Sequence, residues 1–214
     1  SLLESKLTYF EYSGPLRDML GSLYELRGDM KAATEMYHQA TILSPDDAVI
    51  REHLARAYFK SGQFADALGQ YERLLKLDEY KDRADIYLFK GECHLQLHQH
   101  REARAALETS LEKNANSVAT LLALYKVAIA TGDLQRAELS LRKALAINPN
   151  EPQAHLGMGY VRMQQQRWDD AFQAFGRAAQ LDPNDAFAVA MSGLALEKQG
   201  KQQQAIEYYG RRYR

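Results

Sequence analysis

Cysteine is almost missing from this chain of 214 residues: Cys93 stands alone, so no disulfide can close within it and the redox compartment leaves no mark. No apolar run reaches the roughly 18 residues that a membrane-spanning helix requires, which excludes direct membrane insertion by that route. Charge of one sign is lacking too. The 27 basic and 28 acidic side chains leave a formal net charge of −1, without the basic excess that would meet a nucleic acid or an anionic membrane. The one basic cluster, Arg211, Arg212 and Arg214 around Tyr213, reads as a solvated last helical turn. Residues Ser1 to Lys6 hold neither an initiating methionine nor a signal-peptide core. Both ends read as cut, with residues 1–13 as the second helix of an upstream unit, so the compartment stays open between cytoplasm and periplasm. Alternating strand patterns are absent throughout. No glycine-rich phosphate loop and no local Ser/His/Asp or Cys/His motif is present, which points away from an enzyme and from any cofactor.

What is present is a repeat. Gly21, Ala55, Gly91, Tyr125, Gly159 and Gly193 form one column with successive spacings of 34, 36, 34, 34 and 34 residues. A period of this length predicts a stack of helical hairpins, quasi-one-dimensional whatever its total length. The units run near 14–47, 48–81, 84–117, 118–151, 152–185 and 186–214, the last one truncated. The one irregular step is a two-residue insertion across Asp78 to Arg83, which lengthens a single interhelical loop.

Each unit explains itself. Pro45, Pro149 and Pro183 end a helix because proline cannot donate the next backbone hydrogen bond, and the Asp and Asn residues around them can cap the helix that follows. Gly28, Gly62, Gly132 and Gly200 mark the turn inside a hairpin, where a helix closes through a left-handed residue. His98 and Gln166 hold that place in the third and fifth units, and those turns are expected to be less favourable. Ala33, Ala67, Ala103, Ala137, Ala171 and Ala205 form an unbroken column where two helices cross closely. Tyr37, Tyr71, Leu107, Leu141, Phe175 and Tyr209 fill the space beside it. The fold class predicted is all-α.

With these columns in view, the chain resembles the tetratricopeptide repeat (TPR) family from Gly14 onward. The resemblance implies an α-solenoid, a right-handed superhelix of antiparallel helix pairs. Tyr125 departs from it in place of a small residue, and Glu79 and Ala115 stand where two terminal prolines are absent.

One segment invites a metal reading. Cys93, His94, His98 and His100 lie within eight residues. The repeat register argues against it: Cys93 shares a packing column with Leu23, Ala57, Val127, Val161 and Ala195, and His98 belongs to a turn. Neither metal nor cofactor is therefore expected. The acidic pairs Asp46-Asp47 and Asp169-Asp170 belong at helix starts, where they complement the helix dipole.

In TPR arrays the first helix of each hairpin lines the concave face, where ligands lie. Carried over column by column, this implies a polar half made of Asp18, Ser22, Glu25, Glu52, Arg56 and Lys60. An apolar half follows: Leu88, Leu95, Leu122, Lys126, Ile129, Leu156, Tyr160, Met163, Phe187, Met191 and Leu194. Contiguous apolar side chains on a solvated face mark a binding surface. Acidic residues at Asp18 and Glu52 make the carboxylate-clamp mode of chaperone-docking arrays an unsuitable one here. The expected function is a non-catalytic interaction scaffold that takes an amphipathic helix or an extended apolar segment of another protein. The style of the repeat implies, by family analogy alone, a bacterial assembly or secretion machinery. Two rivals stay open: the docking or regulatory arm of a larger enzyme, and self-association through the open ends of the array.

Overall fold

The structure is a computed structural model that describes residues 13–210; the helix expected over the first residues and the basic cluster at Arg211 to Arg214 lie outside the described residues. Two compact units divide the described residues, 13–113 and 114–210.

The first unit holds α1 (Gly14–Leu26), α2 (Met30–Leu43), α3 (Ala48–Lys60), α4 (Phe64–Leu74), α5 (Ala84–Gln96) and α6 (His100–Lys113). The second holds α7 (Val118–Ala130), α8 (Leu134–Ile147), α9 (Pro152–Gln164), α10 (Trp168–Leu181), α11 (Ala186–Lys198) and α12 (Gln202–Gly210). No strand occurs among the described residues. Within each unit the odd-numbered helix packs on the even-numbered one that follows it, and each pair then packs on the next.

The turns inside the hairpins behave as the sequence predicts. Gly28, Gly62, Gly132 and Gly200 adopt φ between 73° and 79°, and His98 and Gln166 are forced into the same left-handed region at 59° and 58°. The closing bonds are alike in both classes: Asp29 N donates to the Tyr24 carbonyl at 2.9 Å and Arg167 N to the Arg162 carbonyl at 2.9 Å. Asp29, Asp47, Asp133 and Asp185 cap the helices after them through their carboxylates. Asn150 does not. Glu151 holds the cap position of α9 without a side-chain bond, and Pro152 directly after it has no amide hydrogen to satisfy.

The six alanines of the crossing column are all 0% exposed. At Gly159 a Cβ would fall 2.6 Å from the Phe175 ring, so the two helices of that hairpin meet through a bare backbone. Tyr125 fills the equivalent place in α7, and the second unit resolves the crowding one hairpin further on. A Cβ at Gly157 of α9 would lie 3.0 Å from Tyr125 Cζ and 2.8 Å from Leu141 Cδ2. The missing side chain makes room for the tyrosine, whose hydroxyl burial pushes up to about 12.

The insertion in the first unit is tied down. Asp78–Tyr80 form one 3₁₀ turn, and the Tyr80 ring is buried with Tyr71, Leu74, Ile86 and Cys93. The Arg83 guanidinium lies 5.2 Å from the centre of that ring. It also donates to both carboxylate oxygens of Glu52, at 3.0 and 3.1 Å.

Candidate binding surface

In the first unit, Asp18, Ser22 and Glu25 occur at i, i+4 and i+7 of α1 and so share one side of it, while Glu52, Arg56 and Lys60 run along α3. An open cavity of about 600 Å³ is lined by Ser22, Glu25, Arg56 and Lys60 together with Leu26, Tyr37 and His53. Its charges are spent on one another. His53 Nδ1 lies 2.8 Å from the Asp18 carboxylate, Lys60 pairs with Glu25, and Arg56 donates to Glu52 at 2.6 Å. The Lys60 ammonium is the main reason that the Glu25 carboxyl titrates below its usual range, with the Tyr37 hydroxyl donating to it as well at 3.1 Å. Burial pushes that hydroxyl up to about 12. Arg83, through bonds to Asp85 and Glu52, extends the network to the start of α5 and holds Asp85 below the usual carboxylate range. Leu88 and Leu95 lie on α5 in the same unit, each half-buried.

In the second unit, Leu122, Lys126 and Ile129 share one side of α7, and Leu156, Tyr160 and Met163 the corresponding side of α9. Leu122 is only 9% exposed, because α7 is apolar around much of its girth and buries Leu121 and Ala123 as well. Leu156, Met163 and Met191 pack against the buried group Ala171, Phe175 and Ala195, so part of their area serves the core. On α11 only Leu194 keeps the 34-residue register of this face; Met191 falls in the column of Gly157, which abuts Leu141 of the preceding hairpin. Ile129, Tyr160 and Leu194 are half-buried, Lys126 is exposed, and Phe187, one helical side with Leu194, is 59% exposed.

The charge ties of the second unit lie elsewhere. Glu138 of α8 accepts two bonds from Arg162 of α9, at 2.8 and 2.9 Å, and others from Arg142 at 2.6 Å and Gln165 at 3.2 Å. The guanidinium of Arg162 brings the Glu138 carboxyl down to about 2. Sequence columns carry no sign of this pair, since its partners sit on different hairpins. A second feature they miss is an open cavity of about 650 Å³ along α10, lined by Phe172, Gly176, Arg177, Pro183, Val189 and Tyr208. Its signal is Gly176, which holds a place taken by His38, Glu72, Glu108 and Arg142 in other units.

The thiol and histidines of the third hairpin do not converge. Cys93 is fully buried and its thiol is pushed up to about 12, His94 Nδ1 lies 2.6 Å from Gln99 Oε1, and the His98 and His100 rings stand 6.1 Å apart. Among the described residues no three His, Cys, Asp or Glu side chains are grouped to hold a metal, and no helix is long and apolar enough to cross a membrane.

Comparison with known proteins agrees with this architecture. One tetratricopeptide-repeat model matches residues 53–119 and 94–152, and a second matches 26–78 and 128–192. The BBSome complex member BBS4 of Bos taurus is 25% identical over 187 residues, covering 87% of this chain but only 36% of its own length. In backbone shape the chain is similar to PilW, a type IV pilus biogenesis factor, with a TM-score of 0.79 at 19% identity over 92% of this chain and 91% of that one. It is similar also to YrrB, described as a TPR protein with an unusual peptide-binding site, with a TM-score of 0.63 at 21% identity over 84% and 91% of the two chains. At these identities the structures speak for the fold alone. Family models that span both units, on top of the alanine column and the six closed turns, place the chain in the tetratricopeptide-repeat family.

Proposed function

We propose that this chain is a non-catalytic scaffold that binds a segment of another protein on the first-helix face of residues 114–210. The supporting observation is Phe187: an aromatic ring 59% exposed, on the same helical side as Leu194. Ile129 and Tyr160 extend the apolar character along α7 and α9. Large aromatic and branched side chains left in water gain free energy when another surface covers them. A rigid stack of hairpins offers them in fixed positions, so little ordering of the scaffold opposes binding. The peptide site of YrrB is consistent with such a use of the fold.

The test is an affinity capture from lysate read by mass spectrometry, comparing the chain with a Phe187→Glu/Tyr160→Glu variant whose helicity is checked by circular dichroism. Leu122 is left alone because a carboxylate at a buried position would unfold the helix pair rather than report on binding. Proteins retained by the first and lost by the second support the reading. Identical capture lists reject it.

Self-association has one observation in its favour. Leu23 is 56% exposed, although Ala57, Cys93, Val127, Val161 and Ala195 in the same column are all 0% exposed. Sedimentation velocity across a concentration series, with Leu23→Glu as control, decides whether α1 joins another copy.

A further inference from the structure

We propose that the apolar side of α1 is a docking surface for residues 2–10 of the same chain, which lie on it as each second helix lies on the first helix after it. This surface is distinct from the binding face on residues 114–210 and does not depend on it.

Met19, Leu23 and Leu26 stand at i, i+4 and i+7 of α1 and are 63%, 56% and 85% exposed, with Leu20 beside them at 43%. In the columns of Met19 and Leu23 the later hairpins meet the second helix that precedes them. The Tyr37 ring lies 5.7 Å from His53, and Tyr71 stacks on Phe89 at 5.6 Å. Ala57 is buried with Ala33 and Tyr37, Cys93 with Ala67 and Tyr71, and Ala195 with Ala171 and Phe175. Helix α1 presents the same columns to solvent.

The register sets residues 2–10, which lie outside the described residues, at this place. Leu3 stands 34 residues before Tyr37, and Leu7 stands 34 before Thr41, whose column continues as Leu75, Leu111 and Leu145. Tyr9 holds the place of Leu43, and four residues then lead to Gly14, as four join Leu43 to Ala48. Lys6 breaks the buried column of Ala40 and Leu74, so Leu3, Leu7 and Tyr9 carry the contact while its ammonium reaches water along a methylene stem.

Volume points to the same occupant. Where a second helix offers a ring, at Tyr37, Tyr71 and Phe175, the next first helix answers with Ala57, Cys93 and Ala195; where it offers Leu141, the answer is Val161. Bulk passes from one side of the contact to the other because a close-packed interface holds a fixed volume. Leu23 is larger than any of these answers and calls for a residue smaller than a ring, which Leu3 is. So short a helix is marginal in water by itself, and its order depends on α1. Tethered by four residues, it meets α1 at an effective concentration of millimolar order, which a second copy does not match.

Hydrogen exchange read by mass spectrometry on the whole chain tests this, with sedimentation velocity on the same samples over a concentration series. The variants are Leu3→Glu/Leu7→Glu, Leu23→Glu, Leu23→Ala and Leu3→Phe/Leu23→Ala, and protection of α2 to α6 serves as the check on folding. Amides of residues 5–10 are expected to exchange at least about tenfold faster in the first three variants than in the wild type. Leu3→Phe/Leu23→Ala should recover most of that protection, because it moves the bulk to the other helix as Tyr37 and Ala57 do. Wild-type protection should not vary with protein concentration. Exchange of these amides at the rate of an unstructured chain in the wild type overturns the proposal, and so does protection that Leu23→Glu leaves unchanged. Protection that grows with concentration, together with the mass, overturns it in favour of a second copy on α1. Failure of the Leu3→Phe/Leu23→Ala swap to recover protection overturns the pairing of Leu3 with Leu23.

Discussion

The first helices of residues 13–113 and of residues 114–210 follow one packing plan and differ on the side that the plan leaves over. In the first unit that side carries charges which join consecutive hairpins: Asp18 to His53, Glu25 to Lys60, Glu52 to Arg83. In the second the most buried joining pair, Glu138 with Arg162, runs from a second helix to a nearly buried position on α9, and the leftover side is largely apolar, with Lys126 and Glu197 as its charges. A partner approaching the first face must separate pairs already formed, and polar groups resist desolvation. The difference shows that one fold can place its inter-hairpin ties on different faces, so that the side left without charge pairs differs between the two stretches.

The largest expected effect comes from breaking the tie of the second unit. Glu138→Ala leaves the Arg162 guanidinium, 10% exposed, with Gln165 alone, and should cost about 2–4 kcal/mol in urea unfolding. The pH dependence has a definite sign. Folding lowers the Glu138 carboxyl to about 2 from its ordinary 4.5, so the stabilisation is complete above about 4.5 and fades as pH falls toward 2. Wild-type stability should therefore decline over that window more steeply than that of Glu138→Ala. Parallel acid limbs would mean that the carboxylate is not held as described.

Overpacking comes next. Ala137→Leu in α8 puts a branched side chain where no surface is left, and should cost about 1–3 kcal/mol by wedging α7 from α8. A melt unchanged by that substitution would undo the helix crossing on which the second face depends.

Much of this was legible in the sequence, for reasons that mark its reach. The alanine column and the turn residues declare themselves because close crossing and positive φ admit few side chains, which is why the columns alone put His98 and Gln166 in left-handed turns. Compensation across hairpins was not legible. Tyr125 stands out as a departure, but its remedy, Gly157, sits in the next hairpin and looks like an ordinary small residue. Nor could columns separate surface from core on α7, where Leu121, Leu122 and Ala123 are all buried and apolar periodicity fades. Met191 misled for a related reason: the apolar spacing on α11 runs out of phase with α7 and α9, so a residue that looks outward by pattern partly serves the core.

The strained turns give a smaller effect, of opposite sign. A left-handed residue with a Cβ is disfavoured, while glycine brings its own entropic cost, and the balance is a gain of about 0.5–1 kcal/mol. His98→Gly and Gln166→Gly test this once in each unit, and both should raise the melting temperature by about 1–4 °C. A loss at either site would mean that its side chain makes a contact worth more than the strain.

The smallest effect sharpens the contrast from the other side. Lys60 is 55% exposed and its partner Glu25 30%, so their attraction is shared with water and salt. Lys60→Ala should lower stability by no more than about 0.5 kcal/mol, and even that should vanish near 1 M salt. The Glu25 carboxyl should meanwhile move back up toward its ordinary value, since the ammonium is the chief cause of its depression, and carboxyl-resolved NMR titration would follow it. A visible titration shift with hardly any change in stability identifies a tie that is electrostatically real and energetically slight. A loss equal to that of Glu138→Ala, persisting in high salt, would show instead that the first face is braced as firmly as the second.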